Sequence, residues 1–203
     1  QRYPLRIAAQ AAPGAAVLEQ PGTPAFQRWF GDSKVVDAQG KPLVVYHGTN
    51  IAPGGANFTE FKTGGVGAFF TDNRSIAESY ARVRPNWGAA LPDRFGRSGE
   101  YPVYLALQNP KIYDARGRRS AVRRGAGETD IDTLAREARR DGYDGLIVRN
   151  VRDPSGTWGA GSDRAPKSTV YVAFRPEQIK SATGNSGTYD PADPSILNKD
   201  SAD

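Results

Sequence analysis

His47 is the only histidine of the 203-residue chain, and it closes an apolar run at a glycine: Pro42-Leu-Val-Val-Tyr-His-Gly-Thr49. The run reads as a buried strand that delivers the imidazole to a turn. A neutral imidazole offers one donor and one acceptor, which suits it to hold a sugar hydroxyl. Gly48 has no Cβ, so a flat ligand can approach its backbone and exchange a carboxamide's hydrogen bonds with its amide and carbonyl. Thr49 adds a hydroxyl. Further along, Gly67-Ala-Phe-Phe-Thr-Asp72 reads as a second strand with a polar exit, followed by a short helix, Ser75-Ile-Ala-Glu-Ser-Tyr-Ala81. Adjacent strand residues face opposite sides, so one of Phe69 and Phe70 must look to the core and the other to a cleft. Ser75 and Glu78 have capping-box spacing, which makes Ser75 the expected helix start and gives Glu78 a structural task. Tyr80 shares a helix face with Ile76 and offers a ring for stacking on a planar ligand.

The composition narrows the chemistry. The chain has no cysteine, which removes thiolate nucleophiles and zinc–thiolate sites but does not fix a compartment. One histidine excludes a multi-histidine metal centre. No apolar run is long enough for a transmembrane helix. A glycine-rich phosphate loop ending in Gly-Lys is absent, and no serine pairs with the histidine in a recognisable context. The net charge is +5, and the five arginines Arg116, Arg118, Arg119, Arg123 and Arg124 lie in one acid-free stretch. Such a stretch is either a docking patch for nucleic acid or an acidic protein, or a solvated loop that keeps the protein soluble. With no aromatic residue interleaved to stack on bases, the solvated loop is the simpler reading.

The elements that must position these residues follow from periodicity. Residues 1–22 are rich in Ala, Pro and Gly and read as a linker from a longer chain. Thr23-Pro-Ala-Phe-Gln-Arg-Trp-Phe-Gly31 predicts a helix with Thr23 as cap, Gly31 as stop, and Phe26, Trp29 and Phe30 on one face. Val35-Val36, an Asp37–Gly40 turn and Leu43–Tyr46 predict a hairpin. Strands are expected at Tyr101–Leu107, Gly145–Val148 and Val170–Phe174, with a helix over Ile131–Ala138 that ends near Asp141-Gly142. Residues 183–203 are polar and turn-rich and read as a loose or draped tail. The total is a strand-rich α+β domain over residues 23–182.

The segments Tyr46-His-Gly-Thr, Gly67-Ala-Phe-Phe-Thr-Asp with Tyr80 on the following helix, and Phe174-Arg-Pro-Glu-Gln-Ile-Lys-Ser-Ala182 resemble ADP-ribosyltransferases. The class is that of diphtheria toxin and the poly(ADP-ribose) polymerases. The resemblance is to the domains carried by phage polyvalent proteins and polymorphic bacterial toxins. It implies a split β-sandwich with NAD as co-substrate in a cleft between two small sheets. It also implies NAD contacts from His47, Gly48, Thr49, Phe69, Phe70, Thr71 and Tyr80. The family's pattern departs here in three places. Phe69 stands where the family has a tyrosine, so the ring is kept and the hydroxyl lost. Ala77 replaces a serine that would bond the carboxamide. No glutamate opens the last core strand, where this chain reads Ser168-Thr-Val170.

The catalytic set implied is therefore His47, Tyr80 and one late polar residue, Gln178 or Glu177, since Glu177 alone of the seven glutamates lies near the late strand. The implied reaction is mono-ADP-ribosylation of a macromolecular acceptor, protein or nucleic acid, with release of nicotinamide and no metal. The implied setting is a monomeric domain of a longer toxin, effector or phage-encoded chain. It would work in the cytoplasm of a target or host cell, without a membrane partner. Residues 151–168, with Trp158 as anchor, would select the acceptor. Two other readings stay open: an RNA 2′-phosphotransferase-like enzyme, and a non-catalytic NAD-fold module whose arginine stretch binds nucleic acid or protein.

Overall fold

A computed structural model describes residues 20–49, 59–82, 99–118, 121–124, 127–153, 165–185 and 187–197. Helix α1 (Pro24–Phe30) is capped by the Thr23 hydroxyl, which accepts from the Phe26 amide at 3.2 Å, and Gly31 ends it at φ 52°. Its Phe26, Trp29 and Phe30 are buried. The Phe26 ring stands edge-on to Tyr104 and Tyr189, with centroids 4.9 and 5.0 Å away.

Among the described residues there are nine strands: β1 (Val45–Thr49), β2 (Ala68–Thr71), β3 (Gly99–Leu105), β4 (Pro110–Asp114), β5 (Ala121–Arg124), β6 (Gly127–Asp130), β7 (Gly145–Arg152), β8 (Lys167–Ala173) and β9 (Ile179–Ser181). Seven form one mixed sheet in the order β4-β7-β8-β2-β1-β3-β9, while β5 and β6 make a separate hairpin. Among the described strands β4 and β7 run parallel, and the other pairings are antiparallel. Helices α2 (Arg74–Arg82) and α3 (Ile131–Arg140) complete the α+β fold.

The sheet's middle is its weak line. β7 and β8, and β1 and β3, are paired along most of their length, but β1 meets β2 through the single pair Tyr46↔Thr71. The sheet thus falls into halves, β4-β7-β8-β2 and β1-β3-β9, joined at a seam. Where two small sheets were expected, the strands form one seven-stranded sheet with a weak join at β2–β1.

Both faces of the sheet are covered, so alternate residues of one strand enter different cores. In β8, Tyr171 and Ala173 join a core with Val45, Phe70, Val103, Leu105 and Ile196, while Val170 and Val172 pack on the other side against α3. Phe70 and Phe69 separate in the same way, Phe70 into the first cluster and Phe69 against the second. α3 supplies Ile131, Leu134, Ala135 and Ala138, spaced to form one apolar stripe.

Several local expectations are corrected. The Val35–Tyr46 hairpin reduces to one bridge, Val36↔Pro42, because Asp37 closes the turn with its own carboxylate on the Gln39 and Lys41 amides. Helix α2 starts at Arg74, not Ser75: Asn73 caps it, its Oδ1 accepting from the Ser75 and Ile76 amides at 3.1 and 3.4 Å. Glu78 instead pairs with Arg74 one turn back, at 3.5 Å. The arginine stretch is not simply a loop, since Ala121–Arg124 pairs with β6; Arg119 lies outside the described residues.

The tail is not loose as far as residue 197, and the folded unit begins by Gln20. Tyr189 and Ile196 are buried, and the Ile196 backbone bonds to Thr59 and Ser181. Lys180, fully buried, donates from Nζ to the Asp193 and Ser195 carbonyls at 2.6 and 2.9 Å. Gln20 accepts from the Tyr189 hydroxyl at 2.5 Å. Residues 1–19 of the expected linker, 198–203 of the tail and Trp158 of the expected acceptor loop lie outside the described residues.

Candidate active site

A cavity of about 450 Å³ opens at the seam, within the usual range of small-molecule sites. β1 contributes Tyr46, His47 and Gly48; β2 contributes Phe69, Phe70 and Thr71; α2 contributes Ile76, Ala77 and Tyr80. The opposite wall comes from Asp130, Ile131 and Asp132 at the start of α3, Asp153 just after β7, and Val170 of β8.

His47 carries the seam. Its Nδ1 lies 2.7 Å from the Phe69 carbonyl. A carbonyl only accepts, so Nδ1 bears the hydrogen and ties β1 to β2 where their ladder has run out. The ring is wedged between Phe61 and Phe70, with centroids 5.0 and 5.6 Å away. This burial lowers the imidazole pKa from its ordinary value, with the Phe69 bond as a smaller opposing effect. At neutral pH the ring is therefore uncharged, with the proton on Nδ1 and a lone pair on Nε2. It is built to accept one hydrogen bond.

Gly48 has a reason beyond ligand approach. A Cβ on it would lie 1.7 Å from the Ala77 carbonyl oxygen, so only glycine lets α2 pack on β1. Ala77 is itself buried. Thr71 is also buried, and its hydroxyl accepts from the Asn73 amide at 3.1 Å, which shapes the corner from β2 into α2. Thr49, one residue beyond Gly48, pairs with Gly99 and is not among the described residues that line the cavity.

Tyr80 is 44% exposed, but its hydroxyl is not loose. It donates to both carboxylate oxygens of Asp153, at 2.8 and 3.0 Å. Burial first, then the Asp153 charge and this hydrogen bond, hold the phenol well above its usual pKa, so it stays protonated. The tie spans the cavity from α2 to the end of β7.

Gln178 and Glu177 are elsewhere, which corrects the expectation that one of them faces the cleft. They sit in a short 3₁₀ turn, Pro176–Gln178, and line a different depression with Trp29, Gln108 and Arg175. The buried Gln178 amide is saturated by its own chain. Its oxygen accepts from the Phe174 and Arg175 amides at 3.1 and 2.9 Å, and its nitrogen donates to the Ala106 and Asp144 carbonyls at 3.3 and 2.9 Å. The Glu177 carbonyl accepts from the Trp29 indole at 2.9 Å, which pins the turn to α1.

The sequence reading missed the acidic wall. Asp130 is the N-cap of α3, accepting from the Thr133 amide at 2.6 Å, and that bond lowers its pKa. Asp132 is exposed on the first turn. Asp153 escaped notice because the strand was expected to stop at Val148. Consecutive Arg149 and Asn150 break its alternation, but a bulge with Asn150 at φ 57° restores the register, so Val151 is buried and pairs with Ser168. The available signal was the apolar Val151 after the polar pair.

Among the described lining residues there is no lysine or arginine; polar character comes from His47, Thr71, two tyrosines and three aspartates. Such a pocket suits a planar cationic group flanked by hydroxyls better than an anion. Residues 37–189 match the family model described as ADP-ribosyltransferase in polyvalent proteins. No curated protein and no solved structure matches the chain.

Proposed function

The chain belongs to this ADP-ribosyltransferase family, and we propose that it cleaves NAD in the seam cavity and transfers one ADP-ribose to a macromolecular acceptor. The observation that carries this reading is the juxtaposition of a neutral His47, aromatic walls and acidic side chains on one cavity. The nicotinamide of NAD is a planar cation until it leaves. Phe69 and Tyr80 supply ring faces for it, and the carboxylates favour its charge; Phe70 is buried in the core and does not. His47 Nε2 accepts from a ribose hydroxyl, and the Gly48 backbone takes the carboxamide.

Cleavage breaks the bond between ribose C1′ and the pyridinium nitrogen. The bonding pair goes to nitrogen and leaves neutral nicotinamide, while positive charge moves to C1′ and the ring oxygen. A lone pair of the acceptor then closes on C1′, and the acceptor's proton is lost to solvent or a nearby base. The protein contributes orientation and electrostatic stabilisation. An acidic wall among the described residues fits this charge flow. The proposed setting remains that of a toxin, effector or phage-encoded modifier.

The direct test is release of nicotinamide from labelled NAD by the whole protein, with and without cell extract as acceptor. Release accompanied by label on a macromolecule is the expected result. NAD binding without any release, in either condition, would leave a binding module instead.

A further inference from the structure

We propose that Asp153 is the carboxylate that faces the reacting ribose, a catalytic role carried from the end of β7 and not from the last core strand. The proposal rests on the NAD-cleavage reading of the cavity. Of the three acids on the cavity wall, Asp130 is committed to capping α3 and Asp132 is exposed on its first turn. Asp153 is the buried one, at 9% exposure. A buried carboxylate acts more strongly on charge that develops beside it than an exposed one, because less water screens it.

Its placement is constructed. The last β7–β8 pair, Arg152↔Lys167, sets Asp153 next to the opening of β8. The strand opening itself supplies no carboxylate: Lys167 is basic, and Ser168, Thr169 and Val170 are neutral. The bulge at Arg149-Asn150 aims the strand end, and bulges beside sites commonly re-aim a side chain in this way. Asn150, at φ 57°, is fastened from both its groups: Nδ2 donates to Asp114 Oδ1 at 2.9 Å, and its carbonyl accepts from the Gly117 amide at 2.8 Å. The Tyr80 hydroxyl then fixes the carboxylate's rotation by donating to both oxygens.

In this arrangement, as the C1′–nitrogen bond breaks and its electrons leave with nicotinamide, Asp153 stays ionised and stabilises the positive charge at C1′. It neither gains nor loses a proton. Tyr80 orients it and stacks on the departing ring. The observation that distinguishes a direct role from a positioning one is the separation of Asp153 from Tyr80 in mutant kinetics.

The experiment compares kcat and KM for nicotinamide release, and NAD affinity by calorimetry, in the wild type, Asp153→Asn, Asp153→Glu and Tyr80→Phe, each checked for a wild-type thermal transition. Asp153→Asn is expected to bind NAD within about threefold of wild type and to lose about a hundredfold or more in kcat, the scale of removing one transition-state electrostatic partner. Asp153→Glu restores the charge, so its kcat is expected between the two and shows that loss in the Asn variant is not misfolding. Tyr80→Phe is expected to lose about tenfold or less, since the ring remains. Full kcat in Asp153→Asn overturns the assignment. A Tyr80→Phe loss as deep as that of Asp153→Asn also overturns it and makes Asp153 only an anchor for the phenol. A wild type that binds NAD but releases no nicotinamide overturns the cleavage reading beneath it, and is told apart because no variant comparison is then needed.

Discussion

The seam cavity and the turn at Pro176–Gln178 both place polar side chains in depressions of the surface, yet they use them in opposite ways. Gln178 spends all four of its hydrogen-bonding positions on backbone groups of its own chain. His47 spends one nitrogen on the Phe69 carbonyl and keeps a lone pair on the other. A polar group saturated internally is part of the frame. One tied at a single end, oriented and neutral, can still meet a ligand. Proximity to a strand end made Gln178 look chemical in the sequence; only the partner count tells the two apart.

The deepest break of this contrast is at Gly48. Gly48→Ala puts a methyl 1.7 Å from the Ala77 oxygen, so α2 must leave β1. A destabilisation of about 3 kcal/mol is expected, read from denaturant midpoints, together with loss of NAD binding. A stable Gly48→Ala protein with unchanged affinity would mean that the helix–strand contact does not shape the cavity. Next is Gln178→Ala, which takes the partner from two amides and two carbonyls, buried or part-buried, and is expected to cost about 2–3 kcal/mol of stability. Nicotinamide release per folded molecule should be unchanged. Glu177→Ala should shift stability by no more than about 0.5 kcal/mol and leave turnover alone.

Much of the frame was legible because its periods are strong. Phe26, Trp29 and Phe30 announce α1, and Ile131, Leu134, Ala135 and Ala138 announce α3. The strand to His47 and the Phe69-Phe70 pair were equally plain, since alternation decides which side chain enters which core. What escaped depends on contacts distant in sequence. Asn73 outcompetes Ser75 as a cap because both the Ser75 and Ile76 amides fall within reach of one carbonyl oxygen. Asp153 lies past a bulge that no alternation rule anticipates. The polar tail is held by buried Lys180 and by Tyr189 packed on α1, neither of which has a local signal.

A smaller effect sharpens the account of His47. Burial lowers its pKa in the folded protein, so above the ordinary value of about 6.5 the ring is neutral in both folded and unfolded chains. As pH falls below that value the unfolded chain takes up the proton first, and stability falls until the folded ring also titrates. The exposed carboxylates Asp114, Asp130 and Asp141 have lowered values and titrate at more acid pH. Urea midpoints between about pH 7 and 5 should therefore decline in the wild type and stay flatter in His47→Phe. Parallel curves would show that His47 is not held neutral by its surroundings.

The measurement closest to the central claim sets the two regions side by side: nicotinamide release from NAD by folded His47→Ala and folded Gln178→Ala proteins. Loss of a buried hydrogen bond to the ribose, worth about 1–3 kcal/mol, should lower NAD affinity or turnover roughly five- to a hundredfold in His47→Ala. Gln178→Ala should turn over like the wild type once corrected for its folded fraction. Full activity in His47→Ala with activity lost in Gln178→Ala would move the chemistry to the other depression and contradict the account.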